Sequence, residues 1–129
     1  MEMKITFPKG TQVTAQFGSY EVQTDQSVES GGTATAPDPF SLFLASIGTC
    51  TGIYVLRFCQ ERKLPTTDLS LSLNAQWNDT INLVDTIKIT IKTGDSFPKK
   101  YKNALINVAK LCTVKKHLET PPEITVSVL

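Results

Sequence analysis

A single histidine, His117, among 129 residues removes two chemistries at once. A Ser-His-Asp hydrolase needs that ring beside a serine on a glycine-flanked turn, and no such glycine pattern occurs. A tetrahedral metal centre needs four ligands; Cys112 and His117 offer two, with no Cys-x-x-Cys and no second histidine to complete the set. No metal and no other cofactor is expected. Cysteine is scarce as well: Cys50, Cys59 and Cys112 are odd in number and widely spaced, which excludes a disulfide-scaffolded secreted domain. The opening stretch Met1 to Phe7 has no long apolar core and no small-residue cleavage site, so a cytoplasmic protein with reduced thiols is expected. Internal repeats and low-complexity segments are missing. A net charge of +1 excludes a global field for nucleic acid, and no nucleic-acid partner is expected.

Charge is absent altogether from Phe40 to Leu56. That run falls short of the ~20 residues a spanning helix needs. It also holds Ser41, Ser46, Thr49, Thr51 and two glycines, and Arg57 follows at once. The expectation is a central buried helix and no membrane partner. Asp38 can cap it, Pro39 suits its first turn, and Pro65 stops it after about Lys63. Ser41, Ala45, Gly48 and Gly52 recur at helical spacing as a stripe of small side chains. Such a stripe fits either a groove within the chain or a two-fold partner helix.

The remaining periodicities are those of a small α+β domain spanning 1–129. Lys4 to Phe7 reads as a short strand. Val13, Ala15 and Phe17, then Tyr20 and Val22 after Gly18-Ser19, read as a hairpin. Asp25 to Pro37 is a long Ser/Gly/Thr/Ala loop, of a length that is often functional or interfacial. Leu69, Leu71, Leu73, Ala75 and Trp77 alternate along one strand, and Ile87, Ile89 and Ile91 along the next. Tyr101, Ala104, Leu105, Val108, Leu111 and Cys112 share one face of a second helix that continues to Leu118. Ile124, Val126 and Val128 predict a last strand after Pro121-Pro122. The order is βββ-α-ββ-α-β, with antiparallel pairing.

Two cysteines then stand out. Cys50 and Cys112 lie inside apolar helical stretches of two different elements, so only the fold can bring them together. If they meet, they form a dithiol, which accepts and releases two electrons. Taken alone, each reads as a buried, inert small hydrophobe. Cys50 lies about three turns beyond Asp38, outside the reach of the helix N-terminus. Cys112 sits in a basic region: eight lysines and one acid, Asp95, lie between Lys88 and Leu118. A positive field there favours its thiolate. Cys59, nine residues after Cys50, falls on the opposite helix face and cannot bridge to it. His117 reads as a capping or surface residue near a helix end.

The segment Asp38-Pro39-Phe40-Ser41-Leu42-Phe43-Leu44-Ala45-Ser46-Ile47-Gly48-Thr49-Cys50 resembles the first-cysteine helix of the OsmC/Ohr family, the osmotically inducible and organic hydroperoxide resistance proteins. Leu111-Cys112-Thr113-Val114-Lys115-Lys116-His117-Leu118 resembles the second-cysteine motif, and the order of elements matches over nearly the whole chain. The resemblance implies an intertwined homodimer with two central helices packed on antiparallel sheets. It also implies a thiol peroxidase of oxidative stress defence. Cys50 is then the peroxidatic nucleophile, attacking an organic hydroperoxide to give a sulfenic acid, and Cys112 the resolving thiol. An external dithiol reduces the resulting disulfide. This chain departs from the family where Phe40 stands in place of a glutamate, where no arginine precedes Arg57, and where Thr113 replaces a proline. That divergence leaves open a second role, a non-catalytic protein of the same fold binding a small apolar or sulfur-containing ligand at the dimer interface.

Overall fold

Alternating residues at the N-terminus pair into a three-stranded antiparallel sheet: β1 (Lys4–Thr6), β2 (Val13–Phe17) and β3 (Tyr20–Thr24), in that order. The β2–β3 hairpin closes between Phe17 and Tyr20, and Gly18 takes the positive φ of +57° that so short a loop requires. The computed structural model describes residues 1–129 and resolves them into two units, Met1–Phe43 and Leu44–Leu129.

In the first unit the loop after β3 is wound around one carboxylate. Asp25 is buried and accepts six hydrogen bonds. The Thr11 hydroxyl (2.6 Å) and the Gln26 N–H (2.8 Å) reach Oδ1. The N–H and hydroxyl groups of Thr33 and Thr35 reach Oδ2 at 2.7–3.2 Å. These bonds, led by that of Thr11, hold the Asp25 carboxyl far below the usual carboxylate range. Gly32 makes the winding possible, since a Cβ there would lie 2.1 Å from the Gln26 carbonyl oxygen. No apolar side chain of Met1–Phe43 is fully buried.

Helix α1 (Pro39–Glu61) starts where the sequence places it. Asp38 Oδ1 accepts from the N–H groups of Phe40 (2.9 Å) and Ser41 (3.1 Å). It ends two residues short of the expected Lys63, which turns left-handed at φ +52° while the Leu64 N–H closes back on the Cys59 carbonyl. The burial of α1 differs from the expectation. Ile47, Thr51, Val55 and Cys59 form its buried stripe, four residues apart, yet only 28% of its most apolar 18-residue window is buried within the chain. By length and hydropathy alone this helix is also sufficient to cross a membrane. Its buried stripe nevertheless belongs to a folded core, in which Val55 and Cys59 cluster with Phe97 and Leu105. Within the small-residue stripe, Gly48 faces Leu73, whereas nothing lies within 4 Å of where a Gly52 side chain would begin. A groove within the chain therefore does not explain Gly52.

Strands β4 (Ser70–Asn78) and β5 (Leu83–Lys92) form a two-stranded antiparallel sheet in the second unit. The register sets Leu71 against Ile91, Leu73 against Ile89 and Ala75 against Ile87, the inward sets read from the alternation.

Two expectations about the C-terminal region are corrected. The single second helix is two: α2 (Lys102–Ala109), entered through a 3₁₀ turn at Lys99–Tyr101, and α3 (Thr113–Glu119). Between them the N–H groups of Leu111 and Cys112 fall back to the carbonyls of Val108 and Ala109. Cys112 then leaves helical geometry at φ −47°, ψ 127°. The last strand does not form: Ile124, Val126 and Val128 are 83–96% exposed and pair with no strand of this chain, although both sheets keep open edges.

Candidate active site

Cys50 is half-buried on α1, and Cys112 is fully buried at the junction of α2 and α3. The fold brings them together: the Cys50 thiol is close enough to help lower the pKa of Cys112, and both are free thiols. Cys59 points the other way, into the core, where burial pushes its thiol up. His117 is exposed on α3, its Nδ1 2.8 Å from the Thr113 carbonyl oxygen.

The electrostatics of Cys112 follow from its backbone conformation. Burial raises the pKa of a thiol, yet that of Cys112 lies below its ordinary value. The opposing causes are the Lys115 N–H, the Cys50 thiol, the Thr51 hydroxyl and the Val114 N–H, all directed at the sulfur. As N-cap of α3, Cys112 faces the unpaired N–H groups of the first turn. The contacts are looser than a full capping hydrogen bond, as suits a large, weakly accepting sulfur. The lysine field expected from the sequence is therefore not the cause. The Lys115 ammonium is instead paired with Glu119.

Three residues to which the sequence assigned no role in the site complete the arrangement. Thr51 adjoins Cys50 in the chain and contacts the Cys112 sulfur; its hydroxyl also holds the Ile47 carbonyl at 2.8 Å. Tyr54, one turn beyond Cys50, bonds through its hydroxyl to Thr113 Oγ1 at 2.9 Å. Neither Thr51, Tyr54 nor Thr113 carries a local signal, because each acquires its role across a long sequence separation.

A cavity of about 680 Å³ reaches the chain neighbour of Cys50, Thr51, although neither Cys50 nor Cys112 lines it. Ile47, Ile89, Leu105 and Leu118 contribute its apolar lining, with Lys102 and Lys110 also on its wall. Thr51 and Lys115, both in contact with Cys112, belong to that wall too. The site thus combines a dithiol, one member held by N–H and hydroxyl donors, with apolar space for a ligand. At the other end of the first-cysteine helix, Phe40 is 44% exposed and stacked on Phe43, so no carboxylate stands at that position.

Comparison with known proteins follows the same lines. A family model described as OsmC-like protein matches residues 31–127, a span that includes both thiols. Among solved structures, an osmotic stress and detoxification response protein from Psychrobacter arcticus 273-4 is 19% identical, with a TM-score of 0.74 over 88% of this chain and 85% of that one. An OsmC-like protein from Mycoplasma pneumoniae is 12% identical, with a TM-score of 0.70 over 93% and 87%. An organic hydroperoxide resistance protein from Legionella pneumophila is 19% identical, with a TM-score of 0.58 over 91% and 87%. No curated protein matches in sequence. At these identities the structural likeness is one of fold.

Proposed function

The chain belongs to the OsmC-like protein family, and from that premise we propose that it reduces organic hydroperoxides with the Cys50–Cys112 pair, as a cytoplasmic protein of oxidative stress defence. The observation that carries this reading is the approach of two free thiols, with an apolar cavity that reaches Thr51 next to Cys50. Accessibility divides the roles. Cys50 is half-buried and meets the hydroperoxide, whereas Cys112 is sealed from solvent. The Cys50 thiolate attacks the O–O bond, an S–O bond forms, and the alkoxide leaves and takes up a proton to become the alcohol. The Cys112 thiolate then attacks the sulfenic sulfur and expels hydroxide, which closes the disulfide. An external dithiol returns the two electrons. The donors around the Cys112 sulfur favour the second attack, because they lower its pKa and so raise the share of nucleophilic thiolate.

In a stopped-flow assay with cumene hydroperoxide, wild type is expected to lose thiols far faster than free cysteine, and Cys50→Ser to fall to that background. Equal, background rates in both would overturn the peroxidase reading. They would favour the alternative, a non-catalytic protein binding a small apolar or sulfur-containing ligand. That alternative draws on the absence of any arginine before Arg57 and on Phe40 at the helix start.

We read 1–129 as one OsmC-like domain within an intertwined homodimer. Three features support a second copy as the missing cover: an apolar helix mostly unburied, a first unit with no fully buried apolar side chain, and a tail of exposed alternating apolar residues. Sedimentation equilibrium should return twice the 14.2 kDa chain mass. A monomer at micromolar concentration would reject the dimer.

A further inference from the structure

Cys50 and Cys112 do not face each other unsupported. Cys50 and Tyr54 stand one turn apart on α1, and Cys112 and Thr113 are neighbours at the start of α3. The thiol–thiol contact and the Tyr54–Thr113 hydrogen bond are therefore two adjacent rungs between the same two pieces of chain. The second rung matters because Cys112 occupies a break in the helical backbone, at φ −47° and ψ 127°, where its N–H and carbonyl are tied to Ala109 and Lys116 but no side-chain cap bond is made. Closing a disulfide takes the sulfurs to ~2.05 Å with a narrow range of dihedral angles, so small errors in approach are costly. Thr113 carries the only side-chain handle immediately next to the reacting residue on that side, and Tyr54 holds it from a rigid helix.

We propose that Tyr54 is a positioning residue for the dithiol: through its hydrogen bond to Thr113 it holds Cys112 at the approach from which it closes on Cys50. This rests on the reading that the pair cycles between dithiol and disulfide. The reaction that exposes the role is exchange with oxidised glutathione. Two protein thiols give up two protons and two electrons, one S–S bond forms between Cys50 and Cys112, and the S–S bond of glutathione breaks to give two reduced molecules. The equilibrium constant is an effective concentration of one protein thiol against the other.

The test measures that effective concentration in glutathione buffers, with peptide mapping to locate the bridge. Tyr54→Phe keeps the ring and removes the hydroxyl, and is expected to lower the value by roughly three- to tenfold, the net effect of one hydrogen bond. Thr113→Val should lower it similarly, Thr113→Ser should retain the wild-type value, and the double variant Tyr54→Phe/Thr113→Val should be no worse than either single change. Thermal melting of the reduced forms separates a structural effect. A merely structural role would shift melting while leaving the effective concentration unaltered. An unchanged value in Tyr54→Phe, or additive losses in the double variant, overturns the inference while leaving the dithiol intact. A wild-type protein that forms no Cys50–Cys112 bridge sinks the dithiol reading and the inference together.

Discussion

Cys112→Ser should still react with hydroperoxide but fail to stop there, accumulating Cys50 sulfinic acid where wild type yields a disulfide. The first step depends on Cys50 alone, so the initial burst of oxidation survives. The second step loses its nucleophile, because serine is neither acidic enough nor soft enough to attack a sulfenic sulfur at neutral pH. The sulfenic acid then waits for a second peroxide and passes to an oxidation state that ordinary thiols do not reverse. Intact-mass analysis after excess peroxide distinguishes the two fates. Cys112→Ser protein that stays at the sulfenic stage, or that resolves through Cys59, would remove Cys112 from the role. The second outcome is disfavoured by position, since Cys59 is fully buried among Val55, Phe97 and Leu105.

Asp25→Asn is expected to open the loop from Gln26 to Pro37, although the two side chains have the same shape. Six donors converge on the carboxylate, and three of them are backbone N–H groups that cannot rotate away. Whichever way the amide is turned, its NH₂ meets a donor: the Gln26 N–H at one oxygen's place, or those of Thr33 and Thr35 at the other's. Unmatched donors are more costly than a lost bond. Limited proteolysis within residues 26–37 should accelerate by roughly tenfold or more, as expected when a local closed state loses its anchor. The pH dependence carries an independent signature. The folded carboxyl lies below its unfolded value of about 3.9. Its stabilisation is therefore complete above that pH and is lost as pH falls below it, toward the folded pKa. Wild type should lose loop protection progressively in acid, and Asp25→Asn should lack that acid-dependent portion. A variant with wild-type cleavage and a wild-type acid profile would mean that Asp25 does not organise the loop.

Local signals announced much of this architecture. Asp38-Pro39 marked the start of α1 because capping is satisfied by residues two and three positions away. Alternation in β4 and β5 predicted which residues would oppose one another, because the pleat leaves only two faces. The α2–α3 break was invisible for the opposite reason. A 3.6-residue period runs unbroken through Tyr101, Leu105, Val108 and Cys112, with no glycine or proline to interrupt it. Burial of the Cys112 sulfur against α1 accompanies its departure from helical geometry, and that contact is tertiary. The lysine count drew attention to Cys112, but peptide N–H groups supply the donors that the charges were expected to provide. At the C-terminus alternation predicts a strand that does not form, because pattern alone cannot supply a pairing partner. The Asp25 cluster and the Tyr54–Thr113 bond, 59 residues apart, likewise join groups that no short window contains.

Three sulfurs in one chain permit three intramolecular pairings, and an oxidant by itself does not choose among them. Placing Cys59 across the barrel of α1 from Cys50 makes the bridge between those two unreachable without unfolding. Mispairing within α1 is thereby prevented by the thickness of a single helix.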